Sequence, residues 1–313
     1  MLLACPWASQ AEVYSPYPGL PEPSFPSGSW GYVAQGGIAE TAKARQWVAV
    51  PPTTVGYWSG QVRRDYAPEP GALYRDTIRG EAFFVSPPGA AEPYGYLPPL
   101  RVRTVGFGLL PVEAVVQVRQ RRSGGRPLPV VATVVGTRFD DDPSGPNGPS
   151  GSMRLEPVRI EDAFEVRVTK VLVDGVDIGL TGACRTVRPA PVVMVGPGHV
   201  IPPGVGDPQA YFRALDPTTF FHPLYGGQLA GSLDLPAFTG CTTESGDDLS
   251  PMITLSVSGP GNRAVFNAGF PCTRIVQGTQ MPPAPGEWNT LPVDETYPCT
   301  TPDPMDYPDR PAD

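Results

Sequence analysis

His199 and His222 are the chain's two histidines, and they are the side chains best suited to act as a base near neutral pH. A nucleophilic hydroxyl or thiol needs such a base beside it. The sequence has no Gly-x-Ser-x-Gly elbow. A Ser–His–Asp arrangement would therefore have to be assembled from distant segments. Both histidines fall in a loosely patterned stretch, 197–227. The ordinary alternative is that each is a surface or half-buried side chain with everyday hydrogen bonds. Paired carboxylates for glycoside hydrolysis need two acids facing across a cleft. With 31 acids in the chain, spacing alone selects no such pair.

The cysteines say more about compartment than about catalysis. Five occur, at Cys5, Cys184, Cys241, Cys272 and Cys299, and no two stand in a C-x-x-C spacing. That argues against a zinc knuckle or a thioredoxin-like centre. Cys184, Cys241, Cys272 and Cys299 form an even set with three possible connectivities. Two structural disulfides in an oxidising compartment are the expected use. The favoured pairs are Cys241–Cys272, clamping a hairpin over 252–273, and Cys184–Cys299, tying down the tail. Cys5 stands apart. Residues 1–11 read as the remnant of an export signal, with Ser9-Gln10-Ala11 ahead of a cleavage before Glu12. Alternatively Leu2-Leu3-Ala4-Cys5 resembles a lipobox, which would lipidate Cys5.

Two acidic clusters are weak calcium candidates: Asp140-Asp141-Asp142, and Glu244 with Asp247-Asp248. Neither matches an EF-hand loop. The plainer reading is a solvated turn whose aspartates accept backbone amides. No phosphate-cradling Gly-x-x-x-x-Gly-Lys occurs, and no cofactor is expected. The aromatics Tyr14, Tyr17, Phe25, Trp30, Tyr32 and 57-YW-58 could stack on a sugar or peptide; more simply, they pack an arm onto the body.

The elements that must position these groups are strands. The chain holds 43 prolines and 36 glycines, which largely exclude long helices. Val112, Ala114, Val116 and Val118 alternate with polar or outward positions, as a half-buried strand requires. The run 128-LPVVATVVGTRF-139 is expected to return beside it across the basic tip 119-RQRRSGGR-126. In 164-FEVRVTKVLVDG-175 the apolar phase shifts after Thr169, which predicts a bulge or two covered faces. Asp174-Gly175 predicts a tight turn, and 191-PVVMV-195 a further strand. Runs 47–50, 55–62 and 82–85 read as brief edge strands separated by proline pairs. Residues 207–221 hold the best helix candidate, with Asp207 as cap and Pro208 at its first position. Residues 228–238 read as a strand, and 259-GPGN-262 as the turn of the hairpin over 252–273.

These elements predict an all-β fold, an antiparallel β-sandwich of about nine to eleven strands. The expected layout is a Pro/Gly-rich N-terminal arm over 12–46, a sandwich domain over 47–278 and a Pro-rich acidic C-terminal tail over 279–313. The net charge is −8, of which the tail carries −6 and the rest −2. A nearly neutral body lacks the electrostatic footprint of a nucleic-acid binder. No run reaches the ~18 apolar residues of a membrane helix, so no transmembrane segment is expected.

Three segments together carry a resemblance. They are 105-VGFGLLPVEAVVQV-118, 166-VRVTKVLVDGVDIGLTGACRTVRPAPVVM-194 and 227-GQLAGSLDLPAFTGCTTESGDDLSPMITLSVSGPGN-262. Their order and spacing resemble a group of secreted actinobacterial β-rich proteins of uncharacterised function, over roughly residues 100–275. The resemblance implies export and supplies no reaction, ligand or catalytic residue. The functional expectation is a secreted or cell-envelope, non-enzymatic structural or interaction protein that contacts another surface component. The alternatives are a secreted hydrolase of envelope polymer using His199 or His222, and a phage or filament assembly protein with reaching arms.

Overall fold

The computed structural model describes residues 20–25, 28–106, 110–140, 151–181 and 183–271. Cys5, Asp141, Asp142, Cys272, Cys299 and the acidic tail lie outside the described residues. Five strands come first: β1 (Ser29–Thr41), β2 (Gln46–Tyr66), β3 (Ala72–Phe84), β4 (Leu100–Gly106) and β5 (Leu110–Gln120). A small hairpin of β6 (Arg122–Ser123) and β7 (Arg126–Pro127) leads to β8 (Val130–Phe139), β9 (Met153–Leu155) and β10 (Val158–Val173). Next come β11 (Val176–Asp177), β12 (Arg185–Thr186), β13 (Ala190–Gly196) and β14 (His199–Ile201). Helix α1 (Pro208–Arg213) and a 3₁₀ turn (Pro217–Thr219) precede β15 (Phe221–His222), β16 (Gly226–Leu235) and β17 (Phe238–Thr239). Helix α2 (Ser250–Val257) and β18 (Gly259–Pro271) complete the order.

All strands but β6 and β7 join one antiparallel sheet of 16 strands. Its main path runs β14-β9-β8-β3-β2-β1-β18-β16-β13-β10, and β5 and then β4 continue from β10. The sheet curls. Phe84 on β3 and Phe164 on β10 are remote along that path, yet their rings meet at 5.5 Å. Ala132 and Val134 of β8 likewise share a core with Val158 and Ile160 of β10, Val192 and Met194 of β13, and Leu229 of β16. Each fully buried valine or leucine there contributes roughly 1.5–3 kcal/mol, so the curl is driven by closing apolar faces on each other.

The period-two pattern translates directly in β10. Val158, Ile160, Val166 and Val168 face the interior, then Val171 does. The inward parity flips across a register shift between Val168 and Lys170 against β5, the bulge expected after Thr169. Asp174 and Gly175 both take positive φ, 49° and 79°, as the tight turn into β11 demands.

Four expectations are corrected. Residues 29–41 are not part of an arm: β1 lies between β2 and β18 in the middle of the sheet. Trp30 and Tyr32 of β1 pack into an aromatic cluster while Val33 packs into the core beside it. A strand covered on both faces shows no alternation. The runs 47–50 and 55–62 are one strand, β2, which passes straight through Pro51-Pro52. The two prolines sit at a register shift between Gln35 and Gly37 of β1, and pairing with β3 begins only at Val55. No ladder bond is demanded of them there.

The third correction concerns the partner of β5. The Ser-Gly-Gly tip exists as the β6–β7 hairpin, but β5 pairs with β10 and β4, while β8 pairs with β3 and β9. The chain forks at the buried Gln120. Fourth, 250–257 is helical. Leu249, Ile253 and Val257 recur at helical spacing and pack on one core, and Pro251 sits at the helix start, where its missing N–H costs nothing. The segment 259-GPGN-262 is then no hairpin turn. It is a bulge opposite Asp234, whose carboxylate accepts the Gly261 N–H at 2.8 Å.

Candidate functional site

The segment between β13 and β16 gathers both histidines. Asp207 starts α1 as expected: its side chain accepts the Ala210 N–H at 3.3 Å and its carbonyl the Tyr211 N–H at 3.1 Å. Asp216 opens the 3₁₀ turn by accepting the Thr218 N–H at 2.9 Å, and these bonds hold its carboxyl below the usual range. Helix α1 carries Phe212, and Phe220 follows the 3₁₀ turn; both are essentially fully buried beside Leu155 of β9.

Phe212 lies against both imidazoles. Its ring is 5.7 Å from His199 and 5.6 Å from His222. Tyr225 stacks on Phe212 at 5.2 Å and on His222 at 4.6 Å. His199 Nε2 stands 2.8 Å from the Tyr211 hydroxyl. His222 Nδ1 accepts the Leu224 backbone N–H at 3.1 Å, so this ring is the neutral tautomer with its proton on Nε2. Burial lowers the affinity of both imidazoles for a proton; for His222 the pKa falls to about 4.

Two tyrosines extend the cluster. Tyr57 of β2 is buried, and burial together with the neighbouring Tyr225 pushes its hydroxyl well above the ordinary value. Its oxygen has no hydrogen-bond partner among the described residues. Tyr225 is raised as well, by burial and then by the charge of Asp207. Tyr211, Phe212 and Tyr225 were not singled out from the sequence. Their only signal was aromatic density in 211–225, which an ordinary core also produces.

A base needs a reacting partner, and this cluster offers His199 a phenol and His222 a backbone amide. Among the described residues neither imidazole makes an ion pair with a carboxylate. The geometry is that of an aromatic clamp holding α1 and the 3₁₀ turn onto the sheet.

The sulfur pairing differs from the expected one. Cys184 and Cys241 stand at disulfide distance, 2.05 Å, and are 57 positions apart in the sequence. That pairing replaces both Cys241–Cys272 and Cys184–Cys299. The ladder explains it: β12 pairs with β17 so that Arg185 faces Thr239, which sets the adjoining cysteines side by side. Strand β18, which precedes Cys272, instead runs away from this corner to pair Pro271 with Val33. Both bonded cysteines are buried, at 1% and 0% exposure, and Ser250 Oγ accepts the Cys241 N–H at 3.0 Å.

The acids near this corner act as turn formers. Asp247 accepts a bond from Ser245, and Asp248 accepts the Ser250 N–H at 2.9 Å. The Ser250 hydroxyl and then its N–H lower the Asp248 carboxyl below its ordinary value. Glu244 lies against Gly179, to whose carbonyl its own N–H donates. Asp140 is half-buried beside Gly71, to whose carbonyl its N–H donates. Among the described residues no three His, Cys, Asp or Glu side chains converge as a metal site would need.

Of the aromatics of the expected arm, Phe25, Trp30 and Tyr32 are buried rather than displayed; Tyr14 and Tyr17 lie outside the described residues. Trp30, Tyr32, Trp58, Phe83 and Tyr94 form one cluster over which Leu20 and Phe25 lie. Three bonds fix that strap: Trp58 Nε1 donates to the Pro21 carbonyl at 2.8 Å, and the buried Glu81 carboxylate, which also accepts from Arg79, accepts from the Ser24 N–H at 3.0 Å and from the Ser24 hydroxyl. Among the described residues no helix is long and apolar enough to cross a membrane. No family model, curated protein or solved structure matches the chain.

Proposed function

We propose that this chain is an exported, non-catalytic scaffold of the cell envelope or exterior, a stiff β-sandwich-like body that contacts another surface component. The observation that supports this most directly is the buried Cys184–Cys241 pair, because structural disulfides persist in oxidising compartments and are rare in the cytosol. The strapped aromatic cluster and the curled sheet agree with a rigid carrier. The Phe212 clamp, which gives each histidine a packing role, agrees with it too.

The test is fractionation of the protein expressed from its own upstream sequence, with free thiols blocked before denaturation. The expected result is an envelope or medium fraction that yields a linked Cys184–Cys241 peptide. Recovery in the cytosol with both thiols alkylated would overturn the reading.

A further inference from the structure

We propose that the stretch from β14 to β15 is an acid-released clamp, in which proton uptake by His222 detaches α1 and the 3₁₀ turn from the sheet while the strands beneath stay paired. The chain's two imidazoles both sit in this one cluster, so any histidine-linked response is confined to it.

The geometry makes His222 the trigger. Its Nδ1 is already committed as acceptor to the Leu224 N–H. A proton there turns the acceptor into a donor facing a donor. The bond is lost, and the turn in which the Tyr225 N–H meets the His222 carbonyl at 3.1 Å loses its second brace. That turn feeds the β15–β16 pairing of His222 with Gly226. A charged ring between Phe212 and Tyr225 gains some cation–π attraction. That gain falls short of the desolvation cost where no anion faces the charge.

The groups around the cluster support this. Tyr57 of β2 and Tyr225 are held in their neutral forms. Asp207, ahead of α1, acts on Tyr225. On α1, Tyr211 bonds His199, and Arg213 closes the helix. From β9, Arg154 turns away over Phe139 and pairs with Glu69, and the following Glu156 pairs with Arg75. Asp216 is occupied by the Thr218 amide. His199 tolerates a proton better than His222, since the Tyr211 oxygen can accept from it.

The experiment is hydrogen exchange of the full chain at about pH 7.5 and about pH 5, corrected for intrinsic rates, with the two histidines followed by proton NMR. With a folded value of about 4 against the ordinary 6.5, the opening equilibrium of 199–226 rises about 30-fold at the lower pH. Amides of β8 and β13 keep their protection. H222N, which retains an acceptor that does not titrate, removes most of the response and leaves the smaller share of His199; H199Q keeps most of it. Unchanged exchange in the wild type, a response undiminished in H222N, or loss of protection throughout the sheet would each overturn the proposal. Should H222N fail to fold, the wild-type profile still decides: His222 titrating at its ordinary value sinks the idea.

Discussion

The Gln120 side-chain oxygen accepts the Phe84 backbone N–H at 2.9 Å, and the same amide donates to the Ala82 and Leu128 carbonyls at 3.0 and 2.9 Å. The side chain is 2% exposed. It therefore ties the end of β5 to β3 and to the segment that leads into β8. Where the chain leaves one wall of the curled sheet for the other, one glutamine satisfies three backbone groups, two on β3 and one just ahead of β8.

Removing that glutamine tests the fork. Q120A leaves a buried donor and weakens two acceptors, at about 1–3 kcal/mol for the first unsatisfied group alone. Urea unfolding should show a loss of about 3 kcal/mol with an unchanged m-value. A loss under about 0.5 kcal/mol would mean that water replaces the amide and that the fork is held elsewhere.

The disulfide should matter through the unfolded chain. Closing a loop of 57 residues corresponds to about 4 kcal/mol in the chain-entropy account. The double variant C184A/C241A, and the wild type under reductant, should each lose about 2–4 kcal/mol. Equal stability with and without reductant would show that the corner is held by packing alone.

Two glycines separate close strand approach from mere smallness. A Cβ on Gly231 would meet the Val193 carbonyl oxygen at 1.9 Å, whereas one on Gly80 finds its nearest neighbour at 3.7 Å. G231A must push β13 from β16 and should cost about 3 kcal/mol or more. G80A should be neutral or slightly stabilising, by up to about 1 kcal/mol. Similar thermal midpoints for the two variants would contradict the described strand spacing.

Acid stability has a defined sign. His222 binds its proton more weakly folded, at about 4, than unfolded, at the ordinary 6.5. Its contribution is whole above pH 6.5 and drains as the pH falls toward 4, by up to about 3 kcal/mol. Asp216, lowered by the Thr218 amide and hydroxyl, and Asp248, lowered by the Ser250 hydroxyl and then its amide, release theirs only as the pH falls through the ordinary carboxylate range and below it. Stability should thus fall in two separate steps, and H222N should shrink the upper one to the smaller share of His199 while leaving the lower one unchanged. A single acid transition confined to the carboxylate range would contradict this.

Asp248 offers a check on the calcium alternative. Its carboxylate is engaged with the Ser250 amide ahead of α2, so D248A should lower the thermal midpoint by the same amount in calcium and in chelator. A drop that appears only in calcium would restore a metal role for that turn.

How much was legible depends on what each element packs against. The bulge at Thr169, the Asp174-Gly175 turn, strands β13 and β16, and the Asp207 cap followed from neighbours within a few residues. Trp30, Tyr32 and Val33 were unreadable as a strand because both faces of β1 are covered. Leu249, Ile253 and Val257 fit a helix, but Ile253, Leu255 and Val257 fit a strand equally well, and the contacts on Phe238 and Cys184 decide between them. The candidate cluster was legible only as two histidines in a loose stretch. That Phe212 would lie against both is a distance relation that no spacing encodes.

By itself the amino-acid sequence determined the class: valines at alternate positions and prolines that forbid helix continuation leave antiparallel strands as the way to satisfy the backbone. Tertiary structure alone decided which strand lies beside which, that Cys184 meets Cys241, and that β5 and β8 part at Gln120. The reason is physical. Strand character is set by local sterics and periodicity, whereas pairing is set by closure of apolar faces between residues far apart in the chain, and many pairings share the same local pattern.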